Sequence, residues 1–480
     1  MNRVCIIGAG SSGISSCQVL HARGIPFDCY EAGSEVGGNW RYMNDNGMSS
    51  AYRSLHINSS RQSMQYATFP MGDHLPPYVN HEQAARYFDA YVDHFGFRDS
   101  IRFRTEVTHV GKTPTGEWDV TTRHRDTGEE HTRRYDAVLV ANGHHWDPRM
   151  PDPPFPGADT FKGIQLHSHD YRTPDVLVGK RVVVLGIGNS AADIAVEGSQ
   201  VAKRMFLSLR RGVHIVPKFI FGIPVDHLTL SWASVVLPLR AQQWVLGTAL
   251  RFARGRPSRY GLPKPDHRIL AAHPTASDTL LSKLGHGDIT VKPNITRLDH
   301  DKVHFADGSS EEVDAVVYAT GYKISFPFLD SSLINAEENW ISLYHRVVPP
   351  RHPGLYFIGL VQPIGAIMPM AEAQSEWVAD LLEGKAKLPG YAEMAKEIDA
   401  YQSSLSRRYV KSSRHTIQVD FRQYLRELRK ERRVGTRRQG ISVALPAGAR
   451  RPGPAEPVDV PSTAGSAAGS GRSGSAGAAG

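Results

Sequence analysis

The chain starts with an apolar run that leads into a glycine-rich turn, and this stretch constrains the fold more than any other. Residues 4–13 have the sequence VCIIGAGSSG, which contains the pattern Gly-x-Gly-x-x-Gly. A segment of helical type follows over residues 14–23, and a second apolar run over residues 27–30 ends at Glu31. Strand, glycine turn, helix, strand and acid form the fingerprint of a dinucleotide-binding unit. The sequence therefore predicts an α/β domain with a nucleotide at the turn.

Each residue type in the turn has a physical reason for its place. Gly8 permits the tight turn, Gly10 lets backbone N–H groups approach a pyrophosphate, and Gly13 lets the helix pack closely on the strand. The N-terminus of the helix attracts phosphates, and Glu31 can accept a hydrogen bond from a ribose hydroxyl. We therefore expect nucleotide contacts from Glu31 and from the whole turn, namely Gly8, Ala9, Gly10, Ser11, Ser12 and Gly13.

Length, charge and cysteine usage narrow the class of protein. The 480 residues predict two or three domains, with neither a signal peptide nor an apolar run long enough to span a membrane. Cys5, Cys17 and Cys29 follow no metal-binding spacing, so we expect reduced thiols in a cytoplasmic protein without a metal site. The net charge of +8 is concentrated in residues 403–440, which carry twelve Lys or Arg and three Asp or Glu. Because the rest of the chain is close to neutral, we expect no nucleic-acid partner.

A second strand and glycine turn occur later in the chain. Residues 181–191 have the sequence RVVVLGIGNSA, in which alanine takes the third small position, and residues 192–202 predict the following helix. Residues 314–321 repeat the pattern of residues 136–143 at a distance of 178, and the first glycines of the two turns are also 178 residues apart. This internal repeat predicts two dinucleotide-binding units of similar plan.

The two units differ at the position where the first carries its acid. The residue equivalent to Glu31 is Leu209, and Arg210 and Arg211 follow it. A carboxylate repels a ribose 2′-phosphate, whereas arginine pairs with it. The first unit is therefore predicted to bind a dinucleotide with a free 2′-hydroxyl, and the second to bind NADP(H). A solvated pair of loop arginines is the alternative explanation.

Regions outside the two units are less informative. Residues 35–40, EVGGNW, contain paired glycines that can bring backbone close to a cofactor. The apolar and aromatic insertion at residues 219–265 predicts a lid or substrate channel, a lipid contact, or ordinary core packing. Residues 419–433 predict a basic helix, and the Ala-, Gly-, Ser- and Pro-rich residues 444–480 predict a disordered tail.

Taken together, these patterns resemble a flavin-containing monooxygenase over residues 1–435. The most specific stretch is FKGIQLHSHDY at residues 161–171, which is similar to the family signature Phe-x-Gly-x-x-x-His-x-x-x-(Tyr/Trp). Residues 52–70, 319–322 and 417–425 also match, in the right order with the two glycine turns. Tyr rather than Trp at the end of the signature favours this family over the related Baeyer–Villiger monooxygenases. The hydrophobic C-terminal anchor of the animal enzymes is not found, so a soluble member is expected.

The resemblance implies an α/β fold with two Rossmann-like domains, the second inserted into the first. It places an FAD-binding domain at residues 1–150 and 321–435 and an NADPH-binding domain at residues 151–320. In such enzymes NADPH reduces FAD, O2 adds to give a C4a-hydroperoxyflavin, and one oxygen passes to an amine nitrogen or a sulfide sulfur. The implied partners are O2 and a small nucleophilic substrate, with a homodimer as one possible assembly.

The resemblance also implies roles for individual residues. Asn58 is expected to act catalytically, beside the flavin and the nicotinamide, and Ser59, Asn39 and Trp40 are expected to contact FAD. The residues expected to hold NADP belong to the second turn and the arginine pair: Gly186, Gly188, Asn189, Ser190, Ala191, Arg210 and Arg211. His167 and Tyr171 of the signature either couple domain position to cofactor handling or have a structural role alone.

Three other functions compete with this one. A Baeyer–Villiger enzyme would insert oxygen beside a ketone, through the same cofactors. A flavin disulfide reductase shares the two-unit plan but needs a redox cysteine pair, which Cys5, Cys17 and Cys29 do not supply. A flavoprotein that serves as an assembly module would bind a partner through the basic C-terminal helix without oxidising NADPH.

Overall fold

A computed structural model of the chain describes residues 3–229, 238–408 and 416–446. The tail predicted from residue 444 lies outside the described residues from 447 onward. The strands of the described residues are, in chain order, β1 (Val4–Ile7), β2 (Phe27–Tyr30), β3 (Ile101–Arg102), β4 (Thr105–Lys112), β5 (Trp118–His124), β6 (Glu130–Tyr135), β7 (Ala137–Val140), β8 (Asp147–Pro148), β9 (Ile164–His167), β10 (Arg181–Leu185), β11 (Arg204–Ser208), β12 (Ile215–Val216), β13 (Phe219–Ile220), β14 (Ile223–Pro224), β15 (Thr275–Ala276), β16 (Ile289–Lys292), β17 (Ile295–Asp299), β18 (Lys302–Phe305), β19 (Ser310–Glu312), β20 (Ala315–Tyr318), β21 (Tyr322–Lys323), β22 (Leu355–Phe357), β23 (Gln362–Ile364) and β24 (Gln418–Asp420).

Both glycine-turn helices begin three residues earlier than the sequence patterns predict, at Ser11 and Asn189. The prediction was wrong because Gly10 and Gly188, in extended backbone, are themselves the N-caps, so the third small residue of each turn already lies inside its helix. The helices of the described residues are α1 (Ser11–Ala22), α2 (Arg61–Met64), α3 (His81–Phe95), α4 (Asn189–Gly198), α5 (Val225–Thr229), α6 (Leu239–Arg254), α7 (Leu280–His286), α8 (Met368–Leu382), α9 (Tyr391–Arg408) and α10 (Phe421–Gly435).

The first parallel sheet takes its strands from both ends of the chain. Its order is β22-β7-β1-β2-β3, and β1 pairs with β2 on one side and with β7 on the other. Residues of β1, β2 and β7 are all buried, as expected for a sheet that is covered on both faces. Helices α1, α3 and α8 cover one face, and the antiparallel sheet β4-β5-β6 covers the other.

The second parallel sheet lies within residues 164–318 and has the order β16-β11-β10-β20-β9. One face packs on α4 and α7, where Ile194 and Leu280 bury Val182. The other face packs on the antiparallel sheet β17-β18-β19, where Phe305 lies in the same core as Val183. The predicted architecture is therefore confirmed: two dinucleotide-binding domains of one plan, the second inserted into the first.

The repeat seen in the sequence is also a repeat of main-chain hydrogen bonds. The N–H of Gly8 donates to the carbonyl of Tyr30 at 2.8 Å, and the N–H of Gly186 donates to that of Ser208 at 2.9 Å. Both members of the second pair follow those of the first by 178 residues. Each turn is thus anchored in the same way to the strand that follows its helix.

The insertion at residues 219–265 has one buried and one exposed side. Ile220 of the β13-β14 hairpin and Leu250 of α6 form a small core with Val216 and Ile269. Other large side chains of the same elements are solvent-exposed, among them Phe221, Trp244 and Phe252. Residues 230–237 of this insertion lie outside the described residues. Among helices that the structure describes, none is both long enough and apolar enough to cross a membrane.

Candidate active site

The first glycine turn has no room for a side chain at Gly8 or at Gly13. Gly8 adopts a φ of +96°, a left-handed conformation that favours glycine. A Cβ on Gly13 would lie 1.8 Å from the carbonyl oxygen of Gly8, so helix and strand meet through bare backbone. Gly10 faces Gly38, where a Cβ would lie 3.0 Å from the Gly10 Cα. The paired glycines after the acid therefore complete the turn, and Gly38 joins the predicted residues.

The N-terminus of α1 is open to an anion. Its N-cap residue, Gly10, has no side chain to accept a hydrogen bond, so the N–H groups of the first turn lack a side-chain cap. Tyr66 donates to the carbonyl of Ser11 at 2.5 Å, and a Cβ on Gly359 would lie 2.0 Å from Ser12 Oγ. No local pattern points to Tyr66 or Gly359, because only the folded chain brings them to the turn.

Glu31 lies at the end of β2 with its carboxylate against the glycine turn. It accepts hydrogen bonds from the N–H of Ala9 at 2.7 Å, the N–H of Gly33 at 2.8 Å and the side-chain amide of Asn46 at 3.2 Å. Burial raises the pKa of the Glu31 carboxyl, and these hydrogen bonds oppose that rise. A carboxylate can accept about four hydrogen bonds, so a ribose hydroxyl can still be accommodated.

Asn39 and Trp40 connect the first turn to the polypeptide that follows it. The Asn39 side-chain oxygen accepts from the N–H and the hydroxyl of Ser50, both at 2.8 Å. Trp40 is half-buried and packs against the core that lies under α1. The Asn39 amide oxygen is thus used in holding this loop, and its contact with FAD stays a prediction.

The second glycine turn is similar but less tight at its third small residue. Gly186 has a φ of +130°, and a Cβ there would lie 2.5 Å from the carbonyl oxygen of Ala319. Ala191 is completely buried, so this turn has room for a methyl group. The Asn189 side chain accepts from the N–H of Ala276 at 2.9 Å and ties the turn to β15. Its N-cap, Gly188, also leaves α4 without a side-chain cap, and Ser190 is half-buried in the first turn of that helix.

Charge distinguishes the second nucleotide site from the first. Leu209 is buried at the end of β11, and both Arg210 and Arg211 are exposed immediately after it. Within the described part of the chain, neither guanidinium forms an ion pair with a carboxylate. Two cations beside an uncapped helix N-terminus suit a phosphorylated ribose.

Hydrogen bonds join the two domains along one side of α4. Tyr52 donates to Asp193 Oδ2 at 2.5 Å, while Ser54 and Tyr171 donate to Glu197 Oε2 at 3.1 and 2.8 Å. Burial raises the pKa of the Asp193 carboxyl, and the Tyr52 hydroxyl opposes this effect. The last tyrosine of the signature therefore contributes to the domain interface from the second domain.

His167 lies at the end of β9 and is almost completely buried. Burial lowers the pKa of its imidazole to about 4, so the ring is neutral at physiological pH. Its ring packs edge-on against Tyr322 at a centroid distance of 5.4 Å. These contacts account for His167 as a structural residue of the domain crossing.

Asn58 lies on a segment of the first domain that contacts the second domain. Its side chain is half-buried and makes no hydrogen bond to any residue that the structure describes. Ser59 is buried next to it. Two residues of the second domain, Lys218 and Asp226, contact the neighbouring backbone: Lys218 Nζ donates to the carbonyl of Ile57 at 3.1 Å, and the carboxylate of Asp226 accepts from the N–H of residue 60 at 2.8 Å. Neither was identified from the sequence, because nothing local distinguishes them.

The two sites have hydrogen-bonding and charged groups that suit two dinucleotides. Each combines bare glycine backbone, an uncapped helix N-terminus and a ribose-binding position at the end of the second strand. The first site offers a carboxylate to hydroxyl groups, and the second offers two guanidinium groups to a phosphate. The residues present therefore fit FAD in the first domain and NADPH in the second.

Comparisons with known proteins agree with this geometry. The flavin-binding monooxygenase-like family model matches residues 1–447. Flavin-containing monooxygenase 5 of Oryctolagus cuniculus is 39% identical over 456 residues, 92% of this chain and 84% of that protein. Dimethylaniline monooxygenase [N-oxide-forming] 2 of Mus musculus is 35% identical over 455 residues, with the same two coverages of 92% and 84%.

Among solved structures, S-allyl-L-cysteine S-oxygenase from Allium sativum superposes with a TM-score of 0.67 at 26% identity and covers 91% of both chains. The family match extends across both nucleotide-binding domains and the C-terminal helix α10. It therefore includes every residue of the two sites described above. The chain belongs to the family of flavin-containing monooxygenases, which bind FAD and depend on NADPH.

Proposed function

We propose that this enzyme uses NADPH and O2 to oxygenate a soft nucleophile, an amine nitrogen or a sulfide sulfur, of a small molecule. The observation that carries the proposal is the Asn58 amide, which has no hydrogen-bond partner among the residues that the structure describes. It lies on a segment of the FAD domain that contacts the NADPH domain. A primary amide in such a place can donate to one cofactor or substrate group and accept from another. Relatives named for N-oxide formation and for S-oxygenation support the substrate class.

The side chains of this enzyme hold and orient the two cofactors, because the proposed reaction needs no catalytic triad. Bound FAD, reduced by NADPH, would supply the chemistry that activates O2. The first glycine turn and Glu31 hold the FAD pyrophosphate and ribose, and Arg210 and Arg211 hold the 2′-phosphate of NADPH. Asn58 hydrogen-bonds the reacting end of the cofactors, and Ser59 contacts FAD beside it.

Exclusion of water is the second task of the protein. Water in the site would divert activated oxygen into hydrogen peroxide. Ile57, Ser59 and Ser60 are all buried, so the residues next to Asn58 in the chain are packed away from solvent. The amide of Asn58 is thereby the polar group that this segment presents to the cofactors.

Replacing Asn58 by Ala tests the assignment. The variant should bind FAD normally and oxidise NADPH, while oxygenated product falls about 10- to 100-fold and hydrogen peroxide takes its place, because one preorganised hydrogen bond at the reacting group is lost. The control is Asn335→Ala, which removes an exposed amide whose oxygen accepts only from the N–H of Glu337 in its own loop, at 2.9 Å. Fully coupled turnover by Asn58→Ala would remove Asn58 from the mechanism.

The substrate class is tested by product analysis. A tertiary amine, a thioether and a ketone are each incubated with enzyme, NADPH and O2. The proposal expects an N-oxide and a sulfoxide. An ester from the ketone, with no oxide from the other two substrates, would instead assign a Baeyer–Villiger reaction.

The domain boundaries are proposed at about residues 150 and 320, where each nucleotide domain passes into the other. The short pair β8-β21 joins these two crossings in antiparallel register. Limited proteolysis with and without NADP+ tests the boundaries, since cuts near either crossing should slow when the nucleotide is bound.

A further inference from the structure

The backbone around Asn58 is held from both sides by the second domain, through Lys218 directly before the insertion and Asp226 within it. Lys218 Nζ donates to the carbonyl of Ile57, one residue before Asn58, at 3.1 Å. Two residues after Asn58, Ser60 donates to Asp226 Oδ2 through its N–H at 2.8 Å and its hydroxyl at 2.7 Å. A charged side chain therefore fixes the peptide on each side of the candidate catalytic amide.

Lys218 is itself fixed. Its ammonium group lies 5.1 Å from the centre of the Tyr78 ring, and the Tyr78 hydroxyl donates to the Lys218 carbonyl at 2.6 Å. The Lys218 N–H donates to Asp278 at 3.1 Å. Burial lowers the pKa of the ammonium group, and the nearby carboxylates of Asp193 and Asp278 oppose that shift. An ammonium group with these neighbours is a directed donor rather than a solvated surface charge.

Asp226 is fixed on the other side. It lies in α5 and is buried, with both of its Ser60 contacts in the interior. His227, the next residue, places its Nε2 3.0 Å from the same Ser60 hydroxyl. Hydrogen bonds to an ionised acceptor are stronger than those between neutral groups, so α5 holds Ser60 firmly.

The two contacts belong to a domain different from that of Asn58. Lys218 and Asp226 follow the second glycine turn and its arginine pair, whereas Asn58 belongs to the FAD domain. A small displacement of an amide at a reacting centre is enough to lose its hydrogen bond. The position of Asn58 is therefore set by the NADPH domain through two side chains, Lys218 directly before the insertion and Asp226 within it.

We propose that Lys218 and Asp226 are positioning residues that hold Asn58 in place, so that the insertion determines how much NADPH oxidation ends in substrate oxygenation. The proposal rests on the proposed function for the role of Asn58. The placement of its backbone is a separate claim with a separate measurement.

The first measurement is amide hydrogen exchange of residues 55–61 in the FAD-loaded protein without substrate. Lys218→Met removes the donor to Ile57 but leaves the Asp226–Ser60 contact intact, and Lys218→Arg keeps a donor. The control Lys264→Met removes an exposed lysine of the same insertion. We expect exchange at Asn58 and Ser60 to accelerate about tenfold in Lys218→Met, as for the loss of one charge-assisted hydrogen bond, and to be restored in Lys218→Arg.

Asp226→Ala provides an independent variant in case Lys218→Met folds poorly, and it should accelerate the same amides. Unchanged exchange in both variants, with FAD content and melting temperature as in the parent, would overturn the proposal.

The second measurement is the fraction of NADPH oxidation that yields hydrogen peroxide. This fraction should rise several-fold in Lys218→Met and Asp226→Ala, while KM for NADPH changes little. It should be close to that of the parent protein in Lys218→Arg and in Lys264→Met. If exchange accelerates but coupling does not fall, the positioning claim is overturned. If the parent protein oxygenates none of the test substrates, the proposed function fails, while the exchange experiment still decides whether the insertion places Asn58.

Discussion

The two nucleotide-binding domains share a backbone plan and differ in a few side chains. In both domains an ion pair joins the starts of two neighbouring parallel strands. Arg3 pairs with Asp136 at β1 and β7, and Arg181 pairs with Asp314 at β10 and β20. Each residue of the second pair follows its counterpart in the first by 178 residues. Main-chain hydrogen bonds position both turns alike. The difference lies at the third small residue and at the end of the second strand. The backbone geometry that the two domains share suits a pyrophosphate, and we propose that the differing side chains select the ribose.

At the third small residue, packing leaves no room for a methyl group in the first turn but accommodates one in the second. In the first turn a Cβ on Gly13 would lie 1.8 Å from the Gly8 carbonyl oxygen, well inside any contact distance. In the second turn Ala191 carries its methyl group in a completely buried position. The first helix is therefore closer to its strand than the second, although the two patterns look equivalent in sequence.

The largest effect that follows from this comparison is expected for Gly13→Ala. The added methyl group forces helix α1 away from β1, as overpacking does in a tight core, and the purified variant should contain almost no FAD. The measurement is the flavin absorbance per protein after purification. The reciprocal change Ala191→Gly should keep its FAD, and equal FAD content in both variants would break the comparison.

A smaller effect is expected for Glu31→Gln. The amide keeps an acceptor for the N–H of Ala9 but loses the charge that strengthens its hydrogen bonds to backbone and ribose. Losing a charge-assisted hydrogen bond weakens binding by about 10- to 100-fold, which titration of the apoprotein with FAD would measure. FAD affinity equal to that of the parent protein would show that Glu31 only supports the turn.

The arginine pair should produce a smaller, selective effect. Arg210→Ala should raise KM for NADPH about tenfold with little change for NADH, because only NADPH carries the 2′-phosphate. Leu209→Glu sharpens the test, since it gives the second domain the acid of the first and should favour NADH. An equal change of KM for both coenzymes would remove the 2′-phosphate assignment.

The smallest effect concerns the ion pair at the start of the second sheet. Hydrogen bonds from Arg181 lower the pKa of Asp314 to about 2. The folded-state pKa lies below the unfolded value of about 3.9, so the carboxylate stabilises the fold above about pH 4 and this contribution is lost as pH falls towards 2.

Asp314→Asn should therefore lower the melting temperature by roughly 1–3 °C at pH 7, as expected for a partly exposed ion pair, and flatten the decline in stability between about pH 4 and pH 2. The control is Asp301→Asn, which removes an exposed carboxylate nearby. A parallel decline in Asp314→Asn and the parent protein would contradict the assignment.

Much of the fold was predictable because its signals are local. The glycine turns and the buried strands are set by near neighbours in the chain, and their repetition 178 residues later predicted two domains of one plan. The helix starts were wrong by three residues, since whether Gly10 and Gly188 serve as N-caps depends on backbone conformation that composition does not encode.

The surroundings of the site were less predictable. Tyr66 and Gly359 complete the first turn from distant parts of the chain, and the charged contacts around Asn58 come from an insertion whose purpose the sequence left open. Such contacts depend on how two domains pack, and a single sequence carries no periodic signal for that arrangement.

By itself, the sequence determined the two glycine turns and the residues that follow the second strand of each domain, and from these we propose Glu31 for one ribose and Arg210 and Arg211 for the other. The tertiary structure alone decided that Asn58 lies between the two domains and that Lys218 and Asp226 hold it there. The physical reason is range, because turns and caps are made by neighbouring residues, whereas an active site at a domain interface is made by residues that meet only when both domains have folded.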